Sequence, residues 1–248
     1  MTVTKKGDFI SLIYTARVKE TDEIFDTSSA DVAKEAKIFK ENMIYEPMLV
    51  VIGESWVIRG LDEKLAGLED GKKDTIVVPP EKAFGLRDPS KIKLVPLKKF
   101  RGQKVAPFPG LEVDIDGKPA VVRSVGGGRV QVDFNSPLSG RTLVYDIEIK
   151  DVLVDNLQKI KALIHRRISS IDADKFGVEI TEKKLVVNVP NDALAIERLQ
   201  LAKRGIASDI QKYIAGIMEI TFIEKYMLKD AKKPAEEAQK PRPETSPS

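Results

Sequence analysis

The sequence of 248 residues contains no cysteine, so disulfide bonds, thiolate metal sites and cysteine nucleophiles are excluded. Histidine is almost as scarce, because His165 is the only one, and nothing else in the chain offers metal-ligand spacing. We therefore expect no metal and no cofactor, and we interpret His165 as a solvated side chain. No apolar run is long enough to span a bilayer, and the N-terminal residues lack a signal-peptide core. These features predict a cytoplasmic protein that does not engage membranes.

The chain also lacks a large excess of charge of either sign, because it has 41 lysine and arginine residues and 38 aspartate and glutamate residues, for a net charge of +3. So small an excess does not by itself predict nucleic-acid binding, although a local basic patch would still matter. Apolar residues make up 42% of the chain and charged residues 32%, which is typical of a globular protein. The length predicts two or three domains.

Strands are predicted at residues 8–19, 24–27, 48–52, 73–78 and 141–151, and the first and last of them alternate apolar and polar residues as half-buried strands do. Between the second and third of these strands, the lysine- and glutamate-rich residues 31–40 are predicted to form a surface helix. Leu61, Leu65 and Leu68 recur at helical spacing, which predicts a short amphipathic helix before the fourth strand. The first domain is thus built mainly of strands.

Residues 88–137 differ in character, because prolines and glycines punctuate short β-type runs. The runs 112–115 and 120–125 flank Asp116-Gly117 and predict a hairpin, and the glycine triplet at 126–128 predicts a second reversal. We interpret this region as an all-β module inserted into a surface loop of the first domain. Basic and apolar residues crowd its beginning, namely Lys91, Lys93, Lys98, Lys99, Phe100, Arg101, Lys104 and Phe108.

A third unit follows residue 154, where apolar residues from Leu157 to Ile171 at helical spacing predict an amphipathic helix. Strands are predicted at residues 177–180, 184–189 and 218–222. A long helix is predicted before the last strand, with Asn191 or Asp192 as its N-cap and Gly216 at its end. The end of the chain has the composition of a disordered tail.

The most informative stretch runs from Gly53 to Lys73, where the sequence Val-Ile-Arg-Gly at residues 57–60 directly precedes the short helix. The other motif residues are Tyr14 on an early strand, Phe25-Asp26 after a turn, Ala83-Phe84-Gly85 in a loop and Tyr145 on a late strand. In this order and spacing the set resembles the FKBP family of peptidyl-prolyl isomerases. The position of the insert is similar to that in the SlyD-like subgroup, whose chaperone module lies in the flap loop.

This resemblance implies an α+β fold, in which an antiparallel sheet wraps on a short helix, an all-β insert domain lies in the flap loop, and an α+β domain lies at the C-terminus. The boundaries that we predict are 1–87 with 138–154 for the isomerase domain, 88–137 for the insert, 155–228 for the C-terminal domain and 229–248 for the disordered tail.

The resemblance also implies the site residues. The catalytic set is Tyr14, Phe25, Asp26, Ile58, Phe84 and Tyr145, and the substrate-binding set is Met48, Val57 and Leu61, with Phe100 and Phe108 on the insert. In this set Leu61 forms the pocket floor, the Ile58 N–H holds a substrate carbonyl, and Tyr14 orients an ionised Asp26. Leu61 and Phe84 depart from the commonest family pattern, which has tryptophan and tyrosine at these two positions.

The function implied is isomerisation of Xaa-Pro bonds in unfolded or partly folded polypeptides, which the insert holds as a chaperone. One alternative is a peptide-binding chaperone or scaffold with little turnover, in which the C-terminal domain supplies a homodimer contact. Another is a ribosome- or RNA-associated factor that uses the basic start of the insert, although the basic run alone favours a solvated face. The histidine- and cysteine-rich tail of bacterial SlyD is absent, so nickel delivery is not implied.

Overall fold

A computed structural model describes residues 2–100 and 106–226 of the chain. The chain forms two compact units, Met1–Ser170 and Ile171–Ser248, and each is described by itself. The tail predicted at residues 229–248 lies outside the described residues, as do Arg101 and Lys104. None of the described helices is long and apolar enough to cross a membrane.

The described part of the first unit contains nine strands and three α-helices. The strands are β1 (Phe9–Val18), β2 (Ile24–Thr27), β3 (Met48–Val51), β4 (Lys73–Val78), β5 (Ile92–Pro96), β6 (Glu112–Ile115), β7 (Lys118–Gly126), β8 (Arg129–Asp133) and β9 (Leu143–Leu153). The helices are α1 (Ala30–Glu35), α2 (Arg59–Leu65) and α3 (Asn156–Arg167).

The larger sheet is antiparallel and has the order β2-β1-β9-β4, with β3 paired to the first half of β1. Strand β9 runs beside the whole of β1, so that Phe9 lies opposite Leu153 and Val18 lies opposite Leu143. All five predicted strands of this domain are present. The strand that follows the insert therefore lies at the centre of the sheet, which makes the host one domain built from two separate stretches of sequence.

Helix α2 packs on this sheet through Leu61 and Leu65, which are buried in the same core as the strand residues. A Cβ atom on Gly60 would overlap the side chain of Val78 on β4, so only glycine allows the helix to approach this closely. The predicted amphipathic helix is present, but it ends before Leu68.

Helix α1 is shorter than the ten residues predicted, because it ends at Glu35. Lys37 adopts a left-handed conformation with φ of 60°, and the Ile38 N–H donates to the Ala33 carbonyl at 2.9 Å. This pattern is a Schellman-type C-cap, which stops a helix. Residues 38–47, which we call the crossing segment, then lead without regular structure into β3.

The insert forms its own four-stranded antiparallel sheet, in the order β5-β8-β7-β6. Both predicted reversals are tight turns with positive φ at their two central residues, Asp116-Gly117 and Gly127-Gly128. Such turns match the twist of the strands that they join. The core residues of the insert are Val95, Phe100, Val113, Ile115, Ala120, Val122, Val130 and Val132.

Hydrogen bonds at two levels join the chain that enters the insert to the chain that leaves it. The Gly140 N–H donates to the Gly85 carbonyl at 2.8 Å, and this bond joins the outgoing and returning chains. One step further into the insert, the Asp88 N–H donates to Asn135 Oδ1 at 3.0 Å, and Asn135 Nδ2 donates to the Asp88 carbonyl at 2.9 Å. The two ends of the insert therefore lie side by side.

Asp133 lies at this junction and is only 1% exposed. Its carboxylate is paired with the Arg87 guanidinium, whose Nε lies 3.0 Å away, and accepts from the backbone and side-chain N–H groups of Asn135 at 2.9 and 2.8 Å. Burial opposes ionisation of this carboxyl, but the hydrogen bonds from Arg87 and Asn135 hold its pKa below the usual range. A satisfied buried ion pair thus fixes the base of the insert.

The described part of the second unit contains β10 (Gly177–Thr181), β11 (Lys184–Val189), α4 (Leu199–Tyr213) and β12 (Glu219–Glu224). β10 and β11 are antiparallel, whereas β11 and β12 are parallel. The predicted cap at Asn191 or Asp192 is wrong. Residues Asn191–Ala195 form a 3₁₀ turn, and α4 begins only after Arg198, which has φ of 62°.

Helix α3 was predicted in the C-terminal domain, but the compact division places it in the first unit. It packs against β3 and β9, and the Lys159 ammonium lies 5.4 Å from the centre of the Phe9 ring. The predicted α+β class is confirmed in both units.

Candidate active site

Nine of the predicted site residues line one cavity of about 420 Å³ on the larger sheet. These residues are Tyr14, Phe25, Asp26, Met48, Val57, Ile58, Leu61, Phe84 and Tyr145. Trp56 is the tenth lining residue and was not included in the predicted set. They come from four strands, the loop before α2, α2 itself and the loop before the insert, so the fold gathers residues that are far apart in sequence.

The strand side of the pocket is fixed by hydrogen bonds between β1 and the end of β2. The Tyr14 N–H donates to Ser28 Oγ at 2.9 Å, and the Ser28 N–H donates to the Tyr14 carbonyl at 3.0 Å. Thr27 Oγ1 also donates to the Tyr14 carbonyl at 3.0 Å. These bonds set the position of Tyr14 relative to Phe25 and Asp26 on β2.

The helix side of the pocket is held by the buried carboxylate of Asp62. It accepts from the N–H groups of Gly53 at 2.8 Å and Ser55 at 3.0 Å. Gly53 and Ser55 both have positive φ, 81° and 57°, so the loop turns sharply here. Asp62 thus anchors the loop that carries Trp56, Val57 and Ile58 into the pocket.

Ile58 is the residue before the first turn of α2, with φ of −58° and ψ of 145°. Its carbonyl accepts from the N–H groups of Leu61 and Asp62 at 3.0 Å each. In the described part of the chain no group accepts from the Ile58 N–H. The first N–H groups of a helix have no partner within the helix, and this one at the edge of the pocket is free to bind an external carbonyl.

The pocket walls are aromatic. The ring centres of Tyr14 and Tyr145 lie 6.3 Å apart with a tilt of 40°, and those of Phe25 and Tyr145 lie 6.3 Å apart in an edge-on arrangement of 86°. Both separations lie within the favourable range for aromatic pairs. Tyr145 is therefore supported from two sides.

One polar pair lies among these rings, because Tyr14 Oη donates to Asp26 Oδ2 at 2.9 Å. Burial, with the Asp26 carboxylate as a second cause, raises the pKa of Tyr14 well above its usual value. The same two causes raise the pKa of Tyr145 to about 12. Both hydroxyls therefore stay protonated at neutral pH, and Tyr14 remains a donor to Asp26.

The composition of the pocket limits its chemistry. Its ten lining residues include no serine, cysteine, lysine or histidine, and the raised pKa of Tyr14 disfavours a phenolate nucleophile in the one hydroxyl–carboxylate pair, Tyr14 with Asp26. It offers an apolar aromatic surface, one oriented carboxylate and one free N–H. Such a site suits binding and conformational change of an amide better than cleavage of a bond.

The two predicted insert residues do not join this pocket. Phe108 is 52% exposed on the insert, as a substrate contact would be, whereas Phe100 is 4% exposed. The prediction of an exposed contact at Phe100 is wrong, because its ring packs in the core of the insert. Its sequence neighbours, Lys99 and Arg101, are basic and do not indicate this burial.

The reading of His165 as a solvated side chain is also corrected. It lies on α3 with its Nε2 2.7 Å from Oε1 of Glu46 in the crossing segment, and its side chain is partly buried. The partner is far away in sequence, so no local pattern reveals it. Next to it, the Arg166 guanidinium lies 3.8 Å from the centre of the Trp56 ring.

Comparisons with known proteins agree with this architecture. Residues 93–138 match the family model described as FKBP26, IF domain, and residues 156–227 match the model FKBP26_C-terminal. The second match includes α3. The predicted insert and the predicted C-terminal domain thus each contain a family match, and the predicted host contains the candidate pocket.

Several relatives are peptidyl-prolyl cis-trans isomerases by name. The chain is 36% identical over 149 residues to the short-type peptidyl-prolyl cis-trans isomerase of Methanocaldococcus jannaschii, which covers 60% of this chain and 93% of that protein. It is 33% identical over 111 residues to the FKBP-type 16 kDa peptidyl-prolyl cis-trans isomerase of Escherichia coli, covering 43% of this chain and 74% of that protein. It is 34% identical over 109 residues to the FKBP-type isomerase SlyD of Aeromonas hydrophila, covering 43% and 51%. The chain belongs to the FKBP-type peptidyl-prolyl cis-trans isomerase family, so the predicted family is confirmed.

Proposed function

We propose that the protein accelerates cis–trans isomerisation of Xaa-Pro bonds in unfolded or partly folded polypeptides, and that its insert holds these substrates beside the pocket. The observation that carries this proposal is the aromatic pocket itself, in which the Tyr14–Asp26 pair and the free Ile58 N–H face an otherwise apolar cavity. Family membership supports the reaction class.

The reaction requires no proton transfer and no covalent intermediate. The barrier to rotation of about 18–20 kcal/mol comes from amide resonance, which is lost as the bond twists. A twisted amide has less charge separation than a planar one. Transfer of the prolyl bond from water into an apolar pocket therefore disfavours the planar ground state relative to the twisted transition state. Each 1.4 kcal/mol gained in this way is about tenfold in rate.

Six of the ten lining residues have a role in this scheme. Leu61, which is buried on α2, forms the floor under the proline ring, and Phe25 and Tyr145 form the walls. The Ile58 N–H donates to the substrate carbonyl next to the proline. The carboxylate of Asp26 lies near the twisting amide in the orientation that Tyr14 gives it.

The direct test is the cis–trans exchange rate of a short Xaa-Pro peptide, measured by NMR with and without the intact protein. Acceleration at catalytic protein concentrations is the expected result. A peptide that binds to the protein but exchanges at the uncatalysed rate would contradict the proposal and favour the peptide-binding module.

The rate on this peptide is expected to be nearly constant over roughly pH 6 to 9, because no proton moves in the reaction. The raised pKa values of Tyr14 and Tyr145 keep both hydroxyls protonated over this range. The same assay repeated over pH provides the measurement, and a bell-shaped profile in this window would contradict the mechanism.

The stability of the protein is expected to change at higher pH. Exposed tyrosine ionises near pH 10, and the folded state holds these two protons to higher pH than the unfolded state does. The free energy of unfolding should therefore fall as pH rises above about 10. Thermal unfolding over the same pH series will show this alkaline loss.

The chaperone part of the proposal rests on the surface of the insert. Among the described residues of this small domain, four large apolar side chains are exposed, namely Leu94, Leu97, Phe108 and Val125. Exposed apolar groups of this kind are suited to loose contact with unfolded chains. A chain held there raises the local concentration of its prolines at the pocket. The homodimer contact through the C-terminal domain and the cytoplasmic location stay predictions.

A further inference from the structure

A second and larger cavity, of about 970 Å³, adjoins the candidate active site in the first unit. We call it the side groove. It lies between α3 and the crossing segment, over parts of β1, β3 and the end of β9. Three residues, Tyr14, Met48 and Trp56, line both the side groove and the isomerase pocket. The two cavities are therefore neighbours that share these three residues.

Contacts between the elements hold the side groove open in a defined shape. Arg166 on α3 stacks on Trp56 at 3.8 Å, which joins the helix to the shared wall. His165 joins the helix to Glu46 of the crossing segment at 2.7 Å. Helix α3 is thus held both to the crossing segment and to a residue of the isomerase pocket. A groove that is already formed before a ligand binds loses little conformational entropy on binding.

The lining chemistry of the side groove suits an extended polypeptide. Met43, Ile44 and Ala162 offer apolar surface, and the Asn42 and Gln158 side chains offer amide groups that can donate to and accept from a peptide backbone.

Charge in the groove is of both signs. Glu46 and Asp151 bring carboxylates, and Lys161 and Arg166 bring cations. A groove that binds a nucleic-acid backbone or an anionic lipid surface would be dominated by cations. The mixture therefore favours a polypeptide of mixed composition.

We propose that the side groove binds the residues that flank the prolyl bond in the substrate polypeptide, on one side of the isomerase pocket. This inference rests on the proposed function. A chain seated in the pocket must leave it at both ends, and an extended chain advances about 3.3 Å per residue. Residues close to the proline are therefore within reach of Tyr14, Met48 and Trp56, which also line the side groove.

The consequence is a preference for longer substrates that does not depend on the insert. Contacts with remote parts of a substrate raise kcat/KM when they help to hold the reacting bond in the pocket. Helix α3 lies outside the host strands in sequence but supplies one wall of this subsite. The isomerase site would then extend from the first domain onto the helix that follows it.

The test compares two peptides with the full-length protein. One is a short blocked Xaa-Pro peptide, and the other is the same peptide lengthened on either side by a few apolar residues. The readout is the ratio of kcat/KM for the long peptide to that for the short one. We expect a ratio of about ten for the native chain, which corresponds to roughly 1.4 kcal/mol of added binding.

Ala162→Trp fills the side groove from α3 and is expected to bring this ratio to about one. Asn156→Trp is the matched control, because it places the same side chain at an exposed position of the same helix outside the groove. The control should keep the ratio of the native chain. Thermal unfolding of both variants will show that they are folded.

Because Ala162→Trp can also disturb the packing of α3, a second measurement uses the native chain. Addition of the long peptide should shift the backbone NMR signals of Ala162 and Gln158, whereas the short peptide should shift only signals around the isomerase pocket. A native ratio of one, together with unshifted α3 signals, would overturn this inference while the isomerase activity on the short peptide stands. Loss of activity on both peptides would instead contradict the proposed function.

Discussion

Replacement of Tyr14 and Phe25 together by alanine is expected to lower kcat/KM for a short Xaa-Pro peptide by about 100-fold. Tyr14 orients Asp26 and contacts Tyr145, and Phe25 packs edge-on against the same ring. The double change removes two walls of the pocket and the donor to Asp26. A loss of about 1.4 kcal/mol of transition-state binding for each residue gives this factor.

The matched control is Phe39→Ala with Tyr226→Ala. It removes one phenylalanine and one tyrosine that are exposed and do not line the isomerase pocket. The cis–trans exchange rate of the peptide is measured by NMR with each of the two variants, and thermal unfolding shows whether each variant is folded. Tyr14→Phe separates the two effects, because it removes only the hydroxyl and should cause a smaller loss. An active double variant would place the reaction outside this pocket.

Deletion of residues 88–137 is expected to lower the rate of a proline-limited protein refolding reaction by about 100-fold, while exchange in a short peptide changes little. The insert supplies Leu94 and Phe108 as exposed holding groups. Without them a protein substrate must find the pocket by diffusion alone, and the gain from tethering is lost. A short peptide is too small to contact the insert and the pocket together.

The junction shows how this deletion should be made. The hydrogen bond between Gly140 and Gly85 places the two chain ends side by side, so a short glycine-containing link can join them. Arg87 would lose Asp133, its buried partner, and should be replaced in the same variant. The double change Leu94→Ser with Phe108→Ser is a milder test that keeps the insert. Equal losses on the peptide and on the protein would contradict tethering.

The two longest strands of the host could be predicted from sequence because apolar and polar residues largely alternate along them with period two. The observed bounds of β1 and β9 lie within a few residues of the predicted ones. The hairpin turns of the insert were also predictable, because Asp-Gly and Gly-Gly pairs favour positive φ. The ends of the helices could not be predicted as well. Helix α1 stops at a lysine in a left-handed conformation, and α4 begins after an arginine in the same conformation.

The candidate site was predicted from a resemblance in order and spacing, and the fold brings nine of those residues to one cavity. What the sequence did not reveal are pairings between residues far apart in the chain. Arg87 with Asp133 and His165 with Glu46 each join distant segments, and nothing in their local patterns marks a partner. Trp56 was not among the predicted lining residues, and its place in the wall depends on the turn that Asp62 holds.

Trp56 stands where the pocket meets the side groove, stacked under Arg166, and it is the only tryptophan in the chain. Its fluorescence is therefore a built-in reporter of the junction that needs no label. A ligand in the pocket would change the surroundings of the indole, and a chain that continues into the side groove would also contact the Arg166 guanidinium that stacks on it. The same emission band can thus report, in real time, when a folding chain occupies the two neighbouring cavities.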